Sequence, residues 1–271
     1  MADGCLNFDT NINSEGFEKG LKSLSDMVGD IKPKLKSLAM AVTAAFSVKK
    51  LVDFGRQSIE TASDLAEVQN VVDTAFGESK QKMEDFADTA VKTYGISKLT
   101  AKQTGSNFMA MAAGMGLAND SASDMAMALT GLSADMASFY NVGQDVASTA
   151  LKSIFTGETE TLKQFGIVMT DANLQAYALS KGITKSTADM SQAEKVQLRY
   201  NYVMSQTALA QGDFAKTSDS WANQTRILSE QWKEFGATIG TVLMNVLLPA
   251  VKAINSLLSQ LIALAHGLSL I

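Results

Sequence analysis

The sequence predicts an all-α protein with a multi-helix central domain flanked by long, heptad-patterned amphipathic helices. Only two prolines occur in 271 residues, so few positions forbid a helix. Ala, Met, Leu, Lys and Gln are abundant, and all five residue types favour helix. Apolar residues make up 46% of the chain, which is enough to bury a sizeable core. The 19 glycines are then expected mainly at helix ends and hinges.

The first region, residues 1–46, is predicted to be a short extended lead-in followed by an amphipathic helical arm. Apolar residues of the arm alternate at intervals of four and three positions, which is the spacing of a heptad seam. The residues of this N-terminal seam are Phe17, Leu21, Leu24, Val28, Ile31, Leu35, Leu38 and Val42. Pro33 lies inside the seam and predicts a kink or a break there. Because the spacing continues beyond the proline, two stacked helices could present the same face.

The second region, residues 47–219, is predicted to be a central helical domain. Glycines stop several helices, and polar residues cap their starts. The predicted helices are Ser47–Ala75, Glu78–Tyr94, Thr100–Met115, Asn119–Tyr140, Gln144–Phe155, Asp171–Gly182 and Ser191–Gln211. Asn119 to Ser121 and Asp171 are candidate N-caps. Ser191 and Glu194 have the spacing of a capping box.

The third region, residues 220–271, is predicted to be an apolar helical segment that Ser220 caps. It repeats the heptad spacing, and Pro249 lies within it. The residues of this C-terminal seam are Leu243, Leu247, Ala250, Ile254, Leu257, Leu261, Leu264 and Leu268. Two interpretations remain open. The two seams indicate either an elongated, self-associating molecule or amphipathic helices packed on the central domain.

The end of this segment also raises a membrane interpretation. Residues 253–271 carry no formal charge, and their length is close to that of a bilayer-spanning helix. Polar residues such as Asn255, Gln260 and His266 interrupt the segment. It is therefore predicted to be a buried or oligomerising helix, or a conditional membrane inserter that contacts a host membrane through residues 239–271.

Composition argues against most site chemistry. The net charge is −5 and Lys and Arg are not clustered, so specific nucleic-acid binding is not expected. His266 is the one histidine and Cys5 the one cysteine, which leaves no nucleophile–base pair and no zinc ligand set. The sequence predicts no catalytic residue, no cofactor and no metal site.

The most distinctive stretch, residues 155–170, carries two closely spaced carboxylates, Glu158 and Glu160. Paired carboxylates can act as general acid and base when their environments separate their pKa values, and an enzyme of that kind is one hypothesis. The favoured interpretation is a turn between helices, in which both glutamates lie in the first turn of the second helix. The residues that define this signature turn are Gly157, Glu158, Leu162, Phe165 and Gly166. The glycines would close the turn, and the Leu and Phe side chains would face the core.

The stretch "TGETETLKQFGIVMTDANLQAYAL" (156–179) resembles a signature of tail tape-measure proteins of tailed phages and prophages. "LTAKQTGSNFMAMAAGMGL" and "LTGLSADMASFYNV" are similar to the paired helices upstream of that signature. The stretch from "AEKVQLRYNYVMSQ" to "LLPAV" is similar to the region downstream of it, and "NFDTNINSEGFEKGLKSL" to the lead-in. The resemblance covers nearly the whole chain.

The resemblance implies a structural, non-enzymatic protein that scaffolds tail-tube assembly, sets tail length and assists DNA delivery. It implies tail-tube, tail-tip and tail-assembly chaperone proteins as partners, together with self-association. It places the chain in the virion tail and, during assembly, in the host cytoplasm. A helix rises about 1.5 Å per residue, so a long tail needs several hundred residues. The chain is therefore expected to be the N-terminal part of a ruler, or a truncated or split gene product. The alternative is a membrane-active helical protein that inserts its C-terminal apolar helices.

Overall fold

A computed structural model describes residues 48–268 of the chain, and the regular elements among these residues are all helical. The all-α prediction is therefore confirmed for this part of the protein. Two single-turn 3₁₀ segments lie at Gly77–Ser79 and Thr187–Asp189. The α-helices are α1 (Val48–Phe76), α2 (Lys80–Tyr94), α3 (Lys98–Gly114), α4 (Asn119–Phe139), α5 (Gln144–Leu151), α6 (Ser153–Thr156), α7 (Glu160–Lys163), α8 (Asp171–Ser180), α9 (Gln192–Gln206), α10 (Asp213–Thr217) and α11 (Trp221–Leu268).

The two heptad seams stay predictions. The N-terminal seam lies outside the described residues, and that applies to Leu21, Leu24, Val28, Ile31 and Leu35. The C-terminal seam belongs to α11, which continues through Pro249. Six of its eight residues have side chains outside the described part: Ala250, Ile254, Leu257, Leu261, Leu264 and Leu268. Within residues 48–268, none of the helices offers the apolar length that crossing a lipid bilayer requires.

The chain divides into two compact units. One unit is Glu60–Thr238. The other contains residues 48–59 and 239–268 of the described part of the chain. The three-region division with boundaries after residues 46 and 219 stays a prediction.

Two of the predicted N-caps are confirmed, because the predicted polar side chain accepts a hydrogen bond from the first turn of its helix. At α9 the amide of Glu194 donates to Ser191 Oγ (3.3 Å), and the amide of Ser191 donates to Glu194 Oε2 (2.7 Å). This reciprocal pair is the predicted capping box. Lys185 Nζ and the Ser191 amide hold the pKa of Glu194 down at about 2. At α11 the amide of Asn223 donates to Ser220 Oγ (3.2 Å), so the predicted cap at Ser220 is also confirmed.

Two other predicted caps are wrong. Helix α4 begins after Ala118, which offers no side-chain cap. The Asn119 side chain instead donates to the carbonyl oxygen of Phe76 (3.1 Å) and accepts from Ser79 Oγ (2.6 Å), so it fixes the end of α1. Helix α8 is capped by Thr170, whose Oγ1 accepts from the amide of Asn173 (3.3 Å).

Helix α4 lies at the centre of the compact unit. Every residue from Leu129 to Ala137 is buried, so this part of the helix is enclosed by its neighbours on all sides. Small residues let those neighbours approach closely: a Cβ on Gly131 would lie 2.9 Å from the ring of Tyr94. Buried hydroxyls bond within the helix, with Thr130 Oγ1 donating to the Ala126 carbonyl and Ser133 Oγ to the Thr130 carbonyl, both at 2.7 Å.

The buried carboxylate of Asp135 connects α4 to α10. Its two oxygens accept from the amides of Gly212 (2.7 Å) and Phe214 (3.2 Å), which lie at the start of α10. Phe214 is fully buried and packs against Gly95, where a Cβ would lie 2.3 Å from the Phe214 ring. Burial raises the pKa of Asp135 above its ordinary value of 3.8, and the two amide hydrogen bonds oppose that shift.

Helix α11 is attached to the compact unit by polar side chains on one of its faces. Glu230 Oε2 accepts from the amide of Ser97, and Glu234 Oε1 from the amide of Lys98, both at 3.0 Å. These carboxylates accept hydrogen bonds from N–H groups at the start of α3 that have no partner within the helix. Their negative charge also interacts favourably with the positive end of the α3 dipole. The buried side chain of Asn223 donates to Ser138 Oγ (3.0 Å) and to the Thr217 carbonyl (3.1 Å).

We expect Asp135→Ala to lower the free energy of unfolding by about 3 kcal/mol, because two backbone N–H groups lose a charged acceptor. Asp135→Asn keeps one acceptor oxygen and is expected to cost less. Urea denaturation monitored by circular dichroism measures both values. Similar losses for the two variants would contradict the proposed role of the acceptor oxygens.

The raised pKa of Asp135 also predicts a pH dependence. Between 3.8 and the folded-state pKa, the folded protein binds a proton that the unfolded chain releases. The free energy of unfolding therefore falls as pH rises through this window. In Asp135→Asn this part of the decline should be missing. If the free energy of unfolding depended on pH in the same way in the parent and in Asp135→Asn, the decline would not arise from Asp135.

Candidate functional site

The signature turn links three short helices in the compact unit. Gly157 ends α6 with a φ of +80°, and Gly166 follows α7 with a φ of +76°. The amide of Ile167 donates to the carbonyl oxygen of Leu162 (3.2 Å), and that of Gly166 to the Lys163 carbonyl (2.9 Å). This pair of hydrogen bonds is the pattern of a Schellman motif. Both glycines thus occupy the turn positions that the sequence predicts.

The apolar residues of the signature turn hold it against the core. Leu162 is fully buried and Phe165 is 5% exposed, as the sequence predicts. The Tyr140 hydroxyl donates to the carbonyl oxygen of Phe165 (3.0 Å), and the two rings make an edge contact with centroids 5.0 Å apart. Since Tyr140 directly follows α4, the turn is fixed to the central helix.

The two carboxylates of the turn lie in solvent. Glu160 is in the first turn of α7 and its Oε1 accepts from Lys163 Nζ (2.6 Å). Glu158 precedes the helix instead of lying in its first turn, because α7 begins only after Thr159. Both glutamates are exposed to solvent, so the turn does not enclose a carboxylate pair.

Arg199 of α9 reaches the turn, which the sequence did not reveal. Its Nη1 donates to the carbonyl oxygens of Ile154 and Phe155, both at 3.4 Å. A Cβ on Gly157 would lie 2.6 Å from Nη2 of the same guanidinium. Gly157 therefore serves two purposes: it adopts the positive φ, and it leaves room for Arg199. Burial lowers the pKa of Arg199.

A small concave cavity of about 290 Å³ lies beside Arg199. Lys195, one helical turn before Arg199, also lines it. The lining residues are Asp171, Leu174, Thr187, Ala188, Lys195, Leu198 and Arg199. This lining offers one carboxylate and two cations but no histidine or cysteine, so it lacks the nucleophile–base arrangement of covalent catalysis.

The ammonium of Lys102 is a second buried charge of the compact unit, and its side chain is 8% exposed. Its Nζ donates to Glu84 Oε2 (2.6 Å) and to Gln69 Oε1, and Gln69 Nε2 donates to Glu84 Oε1 (2.7 Å). This closed triangle joins α1, α2 and α3. Because the charges are paired and hydrogen-bonded to each other, the cluster is a structural element of the core.

Metal coordination has no candidate among residues 48–268, where acidic, histidine and cysteine side chains do not gather in groups of three or more. The chain matches no family model, and neither a curated protein nor a solved structure is significantly similar to it. Function must therefore be argued from the residues themselves.

We expect Gly157→Ala to destabilise the protein more than Gly166→Ala, its matched control. Each substitution places a side chain at a positive φ, at a cost of about 1–2 kcal/mol. Only Gly157→Ala also displaces the Arg199 guanidinium, because the space around Gly166 is open. Urea denaturation of both variants measures the difference.

Replacing Arg199 by Met separates the two effects. In the Arg199→Met background, Gly157→Ala and Gly166→Ala are expected to lower the free energy of unfolding by the same amount. A difference that persists without the guanidinium would show that Arg199 is not the reason for glycine at position 157.

Proposed function

We propose that this chain is a structural, non-enzymatic tail tape-measure protein of a tailed phage or prophage. In this role it scaffolds tail-tube assembly, sets tail length and assists DNA delivery. The observation that carries the proposal is the signature stretch at residues 156–179, in order with similar segments before and after it. The proposal places the chain in the virion tail, with tail-tube, tail-tip and assembly-chaperone proteins as partners.

The geometry of the signature turn supports a structural role for the residues that carry the resemblance. Gly157 and Gly166 adopt backbone conformations that favour glycine, and Leu162 and Phe165 fill the core. The one carboxylate at a signature position, Glu158, lies in solvent. The fold alone therefore accounts for the residue types at these positions, as expected for a structural protein.

Helix α11 supplies the extended element that a ruler needs. Its 48 residues correspond to about 70 Å of helix at 1.5 Å per residue. An elongated helix sets a length because each added residue extends it by a fixed rise. The predicted self-association through the two heptad seams would place several such helices side by side.

A change in the length of α11 tests the proposal. We expect an in-frame insertion of about 21 residues of heptad sequence near Leu257 to lengthen the tails by about 30 Å. Tail length is measured by negative-stain electron microscopy of phage particles that carry the variant. The same insertion in the loop after Gly182 is the control, and it is expected to leave tail length unchanged. Tails of parental length that contain the lengthened protein would refute the proposal.

A membrane-active role is a second proposal, and one observation favours it. Three apolar side chains near the middle of α11 lie on one side of the helix and are between 46% and 49% exposed: Leu247, Leu248 and Val251. A surface of this kind can lie in the interfacial region of a bilayer.

Liposome flotation separates this role from the tape-measure role. Membrane activity predicts that the parent chain floats with vesicles of anionic and zwitterionic lipids. Substituting both Leu247 and Val251 with Lys should then weaken flotation, because two charges enter the apolar surface. Equal flotation of parent and variant would remove the membrane role from this segment.

A further inference from the structure

One face of the first four turns of α11 forms an apolar stripe, defined by Trp221, Leu228, Trp232 and Phe235. These side chains are 85%, 65%, 54% and 46% exposed, in that order. Their intervals of seven, four and three residues keep them on one side of a helix with 3.6 residues per turn. The rings of Trp232 and Phe235 contact each other, with centroids 5.6 Å apart.

The opposite face of the same turns is fixed to the helical domain. Glu230 and Glu234 accept hydrogen bonds from the start of α3, and Asn223 bonds to Ser138 and Thr217. Those three positions lie about half a turn away from the stripe. Rotating the helix to bury the stripe would break all of these hydrogen bonds. The stripe therefore faces away from the domain by construction.

The stripe is large for the surface of a single chain. A Trp or Phe side chain offers about 150–250 Å², so the four residues together expose on the order of 500 Å². Apolar patches of this size on soluble proteins commonly mark interaction sites. Trp221 and Leu228 contribute the largest exposed fractions.

Most residues that flank the stripe carry no charge: Ala222, Gln224, Thr225, Ser229 and Gln231 are uncharged and exposed. The exception is the exposed Lys233, whose ammonium pairs with Glu230 of the same helix. In helix pairs, flanking charges select the partner and its orientation through attraction and repulsion. Neutral flanks give a strongly acidic or basic partner no advantage. They also remove the repulsion that would otherwise oppose the approach of an identical surface.

We propose that the apolar stripe is an interface between two copies of this chain, with α11 of one copy packed along α11 of the other. The heptad intervals match the seam of a helix pair, in which the same surface serves both partners. Two stripes together would bury about 1,000 Å², the lower bound of a specific interface. This interface uses residues other than the two predicted seams, and it does not rest on the tape-measure proposal.

The chain contains a direct reporter of this interface. Its two tryptophans, Trp221 and Trp232, both belong to the stripe. Tryptophan emission moves to longer wavelength when the indole enters water, so dissociation of the proposed dimer should shift the emission of both residues. Association through any other surface would leave it unchanged.

The test compares the parent chain with Leu228→Glu, and Leu209→Glu serves as the matched control. Leu209 is 81% exposed and lies outside the stripe, so its variant makes the same chemical change elsewhere on the surface. Leu228→Glu is expected to raise the dimer dissociation constant about tenfold or more, because a buried leucine is lost and two carboxylates face each other. Analytical ultracentrifugation gives the mass, and a dilution series gives the emission maximum.

For the parent and for Leu209→Glu we expect a dimer of twice 28.8 kDa and an emission maximum that shifts to longer wavelength on dilution. Leu228→Glu is expected to dissociate at higher concentration while keeping the parent's circular dichroism spectrum. A monomeric parent would overturn the proposal. So would a parent whose emission does not depend on concentration, or a Leu228→Glu variant that dimerises as the parent does.

Discussion

Burial of helix α4 on all sides between Leu129 and Ala137 is the constraint on which the compact unit depends. Polar groups in this enclosed part of the helix cannot bond to water, so each one requires a partner inside the protein. Thr130 and Ser133 find theirs in carbonyl oxygens of the same helix. Asp135 finds its partners in the first amides of α10, and this connection brings Phe214 into the core. Because α4 is rich in Ala and Ser, the neighbouring helices can approach closely enough to exclude water.

The same need to satisfy helix ends determines how the periphery is arranged. Glu230 and Glu234 of α11 bind free amides at the start of α3, and Asn119 binds the last carbonyl of α1. In each case a polar side chain from one helix completes the end of another. Attachment of α11 through charged residues has a consequence for its other face. Trp221 and Leu228, on that other face, remain 85% and 65% exposed.

The signature turn contains glycines and carboxylates of the kinds found in active sites, but its residues have structural roles. Its glycines combine a positive φ with, at Gly157, close approach of a guanidinium. Its two carboxylates, Glu158 and Glu160, are exposed to solvent. The residues on which the proposed function is argued therefore have structural roles in a helical fold. That is consistent with the proposed function, in which the protein is a structural part and not a catalyst.

The sequence by itself determined the features that depend on neighbours along the chain. The helical class, the capping box at Ser191 and Glu194, and the turn glycines at Gly157 and Gly166 follow from local propensity and local hydrogen bonding. Tertiary structure decided everything that depends on distant partners. Asn119 was predicted to cap its own helix, but the end of α1 competes for its side chain. Asp135 and Arg199 gained roles from residues 77 and 45 positions away along the chain. The outward direction of Trp221 and Leu228 follows from hydrogen bonds on the far side of α11. A periodic pattern shows that a helix has two faces, but only the packed structure shows which face the domain covers.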